Sequence, residues 1–205
     1  MIIDASTWKP HGLINYPGLE TKYLMAKQSV NDRGNLLVDR TAYKAVNLFE
    51  FLFNKFVFSD LKFSVSSQTP SNVQSRKACD IVIEAETPDR AWQTLCFAGA
   101  KRAANQTESL VKAVEDQALG YCKDFLTANS DINKVFACTI IGASIRCWTY
   151  SQGDEDLVGF WDGQSRDSYR YYLDIGDDAN VARLNHAFNF MKSNPDLSAA
   201  VQHES

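Results

Sequence analysis

The sequence lacks several features, and each absence excludes a class of protein. It has no run of about 18 apolar residues, so no membrane-spanning helix is expected. Its first residues, Met1-Ile2-Ile3-Asp4-Ala5, have no basic stretch leading into a long apolar core, so a secretory leader is not expected. No cysteine pair has CxxC spacing, and His11, His186 and His203 lie far apart without acidic or thiol partners at ligand spacing, which argues against a zinc site. The five cysteines, Cys79, Cys96, Cys122, Cys138 and Cys147, are odd in number and sit in or beside apolar runs. They read as reduced core residues of an intracellular protein, cytoplasmic or nuclear. No internal repeat, low-complexity tract or linker divides the chain.

What is present is ordinary globular composition. The chain has 205 residues, of which 45% are hydrophobic and 22% charged, which excludes disorder as the main state. Lys plus Arg is 21 and Asp plus Glu is 25, giving a net charge of −4 and arguing against a protein whose main task is coating nucleic acid. One domain over 1–205 is the expectation, with an irregular arm over 1–35 and a frayed tail over 196–205. The Met1 start is read as the beginning of a complete protein.

The periodicities set out a mixed α/β pattern. A short helix is expected around 20–28. A helix over 39–58 carries Val46, Phe49, Phe53 and Val57 on one stripe, with Asp39 or Thr41 as its cap. Phe49, Phe51, Phe53, Phe56 and Phe58 are too many for one binding surface and read as core. Residues 63–65 form a short strand, and the polar stretch 66–77 reads as a loop. A hairpin follows, with strands over 80–85 and 92–98 and a turn at Thr87-Pro88-Asp89-Arg90. A helix over 107–127 buries Leu110, Val114, Ala118, Tyr121 and Phe125. A second hairpin turns at Gly142-Ala143, an acidic loop spans 151–168, and a strand is expected over 169–175. In that loop Asp154-Glu155-Asp156 reads as a solvated run, and Trp161 as a loop anchor. A last helix, capped by Asp177 or Asp178, buries Leu184, Phe188 and Met191 and ends at Pro195.

The first hairpin carries the chemistry. With its turn near residue 88 or 89, Asp80 faces about position 97, and Lys101 lies just beyond at the same end of the sheet. A carboxylate beside a lysine at a strand end suits metal-assisted phosphodiester hydrolysis: the carboxylate holds Mg²⁺ and the lysine stabilises charge on the attacked phosphate or positions the water. Asp80, its apolar strand, the turn, Trp92, a second apolar strand and Lys101-Arg102 resemble the PD-(D/E)XK nuclease superfamily. Gln117, in Glu115-Asp116-Gln117-Ala118-Leu119-Gly120-Tyr121, resembles the helix glutamine that often follows the lysine strand there. The segment 135–150 resembles the next hairpin of fungal nuclease-like domains. The matched stretch is roughly 42–150.

That resemblance implies a restriction-endonuclease-like fold, a central mixed sheet flanked by helices. It implies Asp80, Lys101 and Gln117 as catalytic residues, Asp80 as a metal ligand, Mg²⁺ as cofactor, Arg102 as a substrate contact and nucleic acid as partner. One departure stands out. The residue two before the lysine is usually Glu or Asp, the second metal ligand, and here it is Gly99. Glu84 and Glu86 share the face of Asp80, but Glu84 lies roughly 13 Å along an extended strand. Glu50, inside the stripe of the helix over 39–58, is the better substitute, since Mg²⁺ takes one or two protein carboxylates. Three functions compete: a Mg²⁺-dependent nuclease with an altered site; a degenerate nuclease-like domain that binds nucleic acid, a protein partner or its own copy; and a fold recruited for small-molecule chemistry.

Overall fold

The computed structural model describes residues 8–27, 42–70, 78–103, 107–161 and 166–195. Within them the chain forms α1 (Pro17–Lys27), α2 (Ala42–Leu52), β1 (Phe63–Pro70), β2 (Ala78–Glu86), β3 (Trp92–Lys101), α3 (Glu108–Ala128), β4 (Lys134–Ile141), β5 (Ser144–Ser151), β6 (Val158–Gly159), β7 (Leu173–Asp174) and α4 (Val181–Ser193). The strands make one seven-stranded sheet in the order β1-β2-β3-β4-β5-β6, with β7 also on β5. Every paired neighbour is antiparallel except β3 and β4, which run parallel. Parallel neighbours need a crossover, and α3 supplies it. The result is a mixed α/β architecture with helices on both faces of the sheet.

Side-chain alternation decides which helix covers which face. A Cβ added at Gly99 would touch Val114 of α3, so odd-numbered positions of β3 face α3. Phe97 obeys this, packing against Tyr121 and Phe125 at ring separations of 6.1 and 5.4 Å. The other face receives α2 and α4. There Phe53 meets Phe49, Phe58 and Phe188 at 5.7, 5.7 and 5.8 Å, tilted or edge-on as aromatic quadrupoles prefer. Phe51 is half-buried and Phe56 exposed, so the aromatic run supplies both core and surface. All five cysteines are buried free thiols, as their apolar settings predict.

Several elements differ from their sequence expectations. The first helix begins at Pro17, which suits a first helical position because its missing N–H has no partner to lose. Among the described residues, the expected 39–58 helix is α-helical over Ala42–Leu52 and then widens into a π-turn, Phe53–Val57, in which Phe58 N–H donates to Phe53 O at 2.7 Å. The proposed caps Asp39 and Thr41 lie outside the described residues, as does the 196–205 tail. Residues 66–70, read as loop, belong to β1. Their serine and proline content fits an edge strand, where a residue without an N–H is tolerated. The strand expected over 169–175 is a 3₁₀ turn, Tyr169–Tyr171, followed by the two residues of β7. Asp177 caps a short 3₁₀ turn that leads into α4, its side chain accepting from Ala179 N–H at 3.0 Å. The second hairpin turns where expected. Gly142, at φ +62, occupies the first position of its two-residue turn, where a Cβ would lie 2.5 Å from Ala103 Cβ.

The arm before α1 is clipped to the segment before α4. Leu13 N–H donates to Ile175 O at 2.7 Å, and Gly12 N–H to Asp178 Oδ1 at 2.5 Å. Gly12 sits at φ +55, and a Cβ there would fall 2.3 Å from Ile175 O, so the clip requires glycine. His11 places Nδ1 2.8 Å from Gly176 O and Nε2 2.6 Å from Glu20 Oε2. Both partners are acceptors, so both ring nitrogens donate and the ring is imidazolium. The bond to Gly176 O, reinforced by Glu20, raises its pKa above the ordinary 6.5. Tyr23 and Lys27 of α1 add bonds of 2.9 and 3.0 Å to Asp174. This His–carboxylate contact spans nine residues and is invisible to metal-ligand spacing rules.

Candidate functional site

Asp80 stands where two strands part. Pairing of β2 with β3 stops at Ile81↔Ala98. Beyond it β2 continues on β1 through Cys79↔Thr69 and Ala78↔Pro70, while β3 continues on β4 through Gly99↔Thr139, Ala100↔Ile140 and Lys101↔Ile141. The sheet therefore forks between β2 and β3. The strand split orphans a backbone donor, and Asp80 satisfies it: Oδ2 accepts from Ala100 N–H at 2.8 Å. Cys79 sits in the crotch of the fork and donates to Ile81 O and Ala98 O at 3.2 and 3.3 Å. Burial pushes its thiol up to about 12, which disfavours the thiolate.

The hairpin register differs from the simple expectation. Its turn runs from Thr87 to Ala91, whose backbones bond at 2.8 Å, and a bulge falls between Ile83 and Glu84. Continued by one residue past Ile81↔Ala98, the register sets Asp80 opposite Gly99 rather than position 97. Asp80 thus faces the position that carries no side chain, and Lys101, two residues further along β3, shares its face. A Cβ at Gly99 would meet Val114 Cγ2 at 3.5 Å and Val114 O at 3.8 Å, which is ordinary contact, so the position has room for a side chain to begin.

Lys101 is half-buried and donates from Nζ to Gln117 Oε1 of α3 at 2.7 Å. Gln117 Nε2 in turn donates to Tyr121 Oη at 2.5 Å. Burial pushes the Tyr121 phenol above its ordinary value. The hydrogen bond from Gln117 opposes that rise, and the Asp80 carboxylate adds to it. The end of β3 is anchored by Gly142 N–H donating to Lys101 O at 3.0 Å. Arg102 follows, also half-buried. Asp80, Lys101 and Gln117 are therefore drawn to one end of the sheet, on its α3 side.

Glu50 is not drawn there. Its Oε1 accepts from Ser67 Oγ at 3.2 Å. Ser67 pairs with Ile81, and Ile81 with Ala98, so these three share the face opposite Gly99. Glu50 works on the α2 side of the sheet. Glu84 and Glu86 pair with Thr94 and Trp92, toward the hairpin turn and away from the fork. Among the described residues no group of three or more His, Cys, Asp or Glu side chains is placed to hold a metal ion.

A second polar cluster lies in the same row of the sheet and escaped sequence reading. Thr139 is paired with Gly99 on one side and Arg146 on the other. Arg146 and Glu115 are both fully buried, with Nη1 and Oε1 3.6 Å apart. Tyr172 Oη lies 3.0 Å from Glu115 Oε1 and 2.8 Å from Thr139 Oγ1, and Trp148 Nε1–H donates to Thr139 Oγ1 at 2.9 Å. Asp167 N–H donates to Glu115 Oε2 at 2.6 Å. The Arg146 guanidinium stacks on Trp148 and Tyr171, 3.8 and 4.8 Å from the ring centroids. Burial raises the Glu115 pKa against these hydrogen bonds and the Arg146 charge. The sequence signal was an arginine inside an otherwise uncharged strand. Nearby, Arg166 bridges Asp116 and Asp156 at 2.5 Å each, and Asp154 Oδ2 accepts from Ser151 N–H, so two of the three acids in the partly solvated 154–156 run also hold the loop. Trp161 anchors that loop through Nε1–H to Tyr171 O at 3.1 Å.

Comparison with family models, with curated proteins and with solved structures finds no match. No helix among the described residues is long and apolar enough to cross a membrane.

Proposed function

We propose that this chain is a nuclease-like domain of the PD-(D/E)XK kind that binds the phosphodiester backbone at the β2–β3 fork and does not hydrolyse it at an enzyme's rate. The mixed sheet flanked by helices supports the reading. So does the gathering of Asp80, Lys101 and Gln117 at one sheet end. The observation that carries the second half is that, among the described residues, the fork offers one carboxylate and no group of three metal-ligating side chains. Gly99 contributes no donor, and Glu50 is engaged with Ser67 on the other face. Asp80 already spends one oxygen on Ala100 N–H.

With one Asp80 oxygen engaged, the fork is a poor fit to a resident Mg²⁺: it reaches only the lower limit of the one or two carboxylates such an ion takes, and every other near-octahedral ligand would fall to water and phosphate. What remains is an amine aimed by a neutral amide, followed by Arg102. Such cations attract phosphate through charge, and their hold weakens as salt rises.

The test uses the purified protein with plasmid and single-stranded DNA in Mg²⁺ or Mn²⁺, and DNA retention over a salt series. The expected result is no cleavage above background, with salt-sensitive retention that drops in Lys101→Met. In Gly99→Glu, which restores an acid opposite Asp80, metal-dependent cutting is expected to appear. Cutting by the unaltered protein that stops in Asp80→Asn overturns the binding-only reading and establishes hydrolysis with an altered site. Absence of both retention and cutting overturns the nucleic-acid reading and directs the search to a protein partner or self-association.

A further inference from the structure

Lys101 offers only donors, so Gln117 must turn its carbonyl oxygen toward the ammonium. That choice fixes the other end of the amide, whose NH₂ must then find an acceptor. The acceptor is the phenol oxygen of Tyr121, one helical turn further along α3, at 2.5 Å. The reverse amide orientation would set NH₂ against an ammonium, so the chain Lys101–Gln117–Tyr121 has a single polarity. The phenol is in turn held: Tyr121 is 3% exposed and its ring packs on Phe97 at 6.1 Å. Phe97 lies on β3 itself, four residues before Lys101. The strand that presents the amine therefore also seats the residue that aims it.

We propose that Tyr121 is a positioning residue for Lys101, acting through Gln117 and holding the ammonium at the fork. The inference rests on the reading of the fork as a phosphate-binding site only for its biological meaning; the positioning is a property of the free protein. Without the phenol oxygen the Gln117 amide loses its preferred orientation, and the ammonium loses a fixed acceptor while keeping its charge.

The test is the ¹⁵N-resolved signal of the Lys101 ammonium in the full chain, assigned by its disappearance in Lys101→Arg. Ammonium protons are seen when a hydrogen bond slows their exchange with water. Expected are a visible Lys101 signal in the unaltered protein and its loss in Gln117→Ala. In Tyr121→Phe, exchange becomes about tenfold faster, the scale of one ordinary net hydrogen bond, with an unchanged backbone amide spectrum outside α3. An unaltered Lys101 exchange rate in Tyr121→Phe overturns the proposal, as does a missing signal in the unaltered protein. DNA retention by the same variants separates the two claims. If the ammonium signals behave as expected while retention is the same in all, the positioning stands and the phosphate-binding reading falls.

Discussion

The fork and the buried cluster sit on one face of one sheet, within a row that runs Asp80, Gly99, Thr139, Arg146, yet they treat charge in opposite ways. Around Glu115 the Asp167 N–H and the Tyr172 hydroxyl are aimed at the carboxylate, the guanidinium stacks on two rings, and both charges are fully buried. At the fork, Asp80 and Lys101 are half-buried, held by bonds to Ala100 N–H and Gln117 that do not enclose them. A fully buried ion pair cannot exchange partners without a large penalty, so it fixes the fold. A half-exposed charge held by a backbone or amide contact can take a ligand. The two clusters differ less in residue type than in how completely the protein has closed around them.

The comparison is broken most forcefully in the buried cluster. Arg146→Met is expected to cost about 3–5 kcal/mol, because it strands Glu115 in a dry site. The lost urea midpoint should be largely recovered in Arg146→Met with Glu115→Leu. A loss below about 1 kcal/mol for the single variant would show that water reaches the pair. At the fork a smaller effect is expected and it should depend on chemistry. Asp80→Ala leaves the Ala100 N–H without its acceptor, at a cost of about 1–3 kcal/mol. Asp80→Asn keeps an oxygen for that N–H and should stay close to the unaltered midpoint. Equal losses for both would mean that the carboxylate charge, not the acceptor, holds the fork.

How much of this was legible in the sequence follows from the range of each interaction. The hairpin and its two polar ends were readable because a turn and two alternating strands are local. Placing Asp80 opposite position 97 failed because a bulge at Ile83/Glu84 and a turn that closes at Ala91 shift the register, and neither leaves a mark in a run of β-formers. Glu50 was recognisable as a polar residue on an apolar stripe. Helical periodicity does not say which face of a sheet the stripe will cover, and here it is the face away from Asp80. Serines at 66 and 67 read as loop because an edge strand tolerates loop-like composition. The Glu115–Arg146 pair joins a helix to a strand through tertiary packing alone, and nothing in spacing announces it.

The smallest expected effect lies at the N-terminal clip. His11 is imidazolium in the folded protein with its pKa raised, so its stabilisation is complete below the unfolded value near 6.5 and is lost as pH rises through the folded value. Its side chain is 33% exposed, and solvent screening keeps the contribution below about 1 kcal/mol. Glu20 and Asp178 face the ring, and both sustain the charge. Thermal midpoints measured on either side of neutrality should therefore fall slightly with rising pH, and the fall should vanish in His11→Gln.

The clip also sets an order of events during synthesis. His11 waits for Gly176, 165 residues downstream, and Tyr23 waits for Asp174. At about 5–20 residues per second, on the order of ten seconds or more separates the emergence of the two halves. Through that interval α1 lacks its bonds to Asp174, so an element made before the sheet is completed only after it. Slow codons or a stall late in the message would prolong that vulnerable window, while the β2–β3 hairpin, made from neighbouring residues, would pass through it already formed.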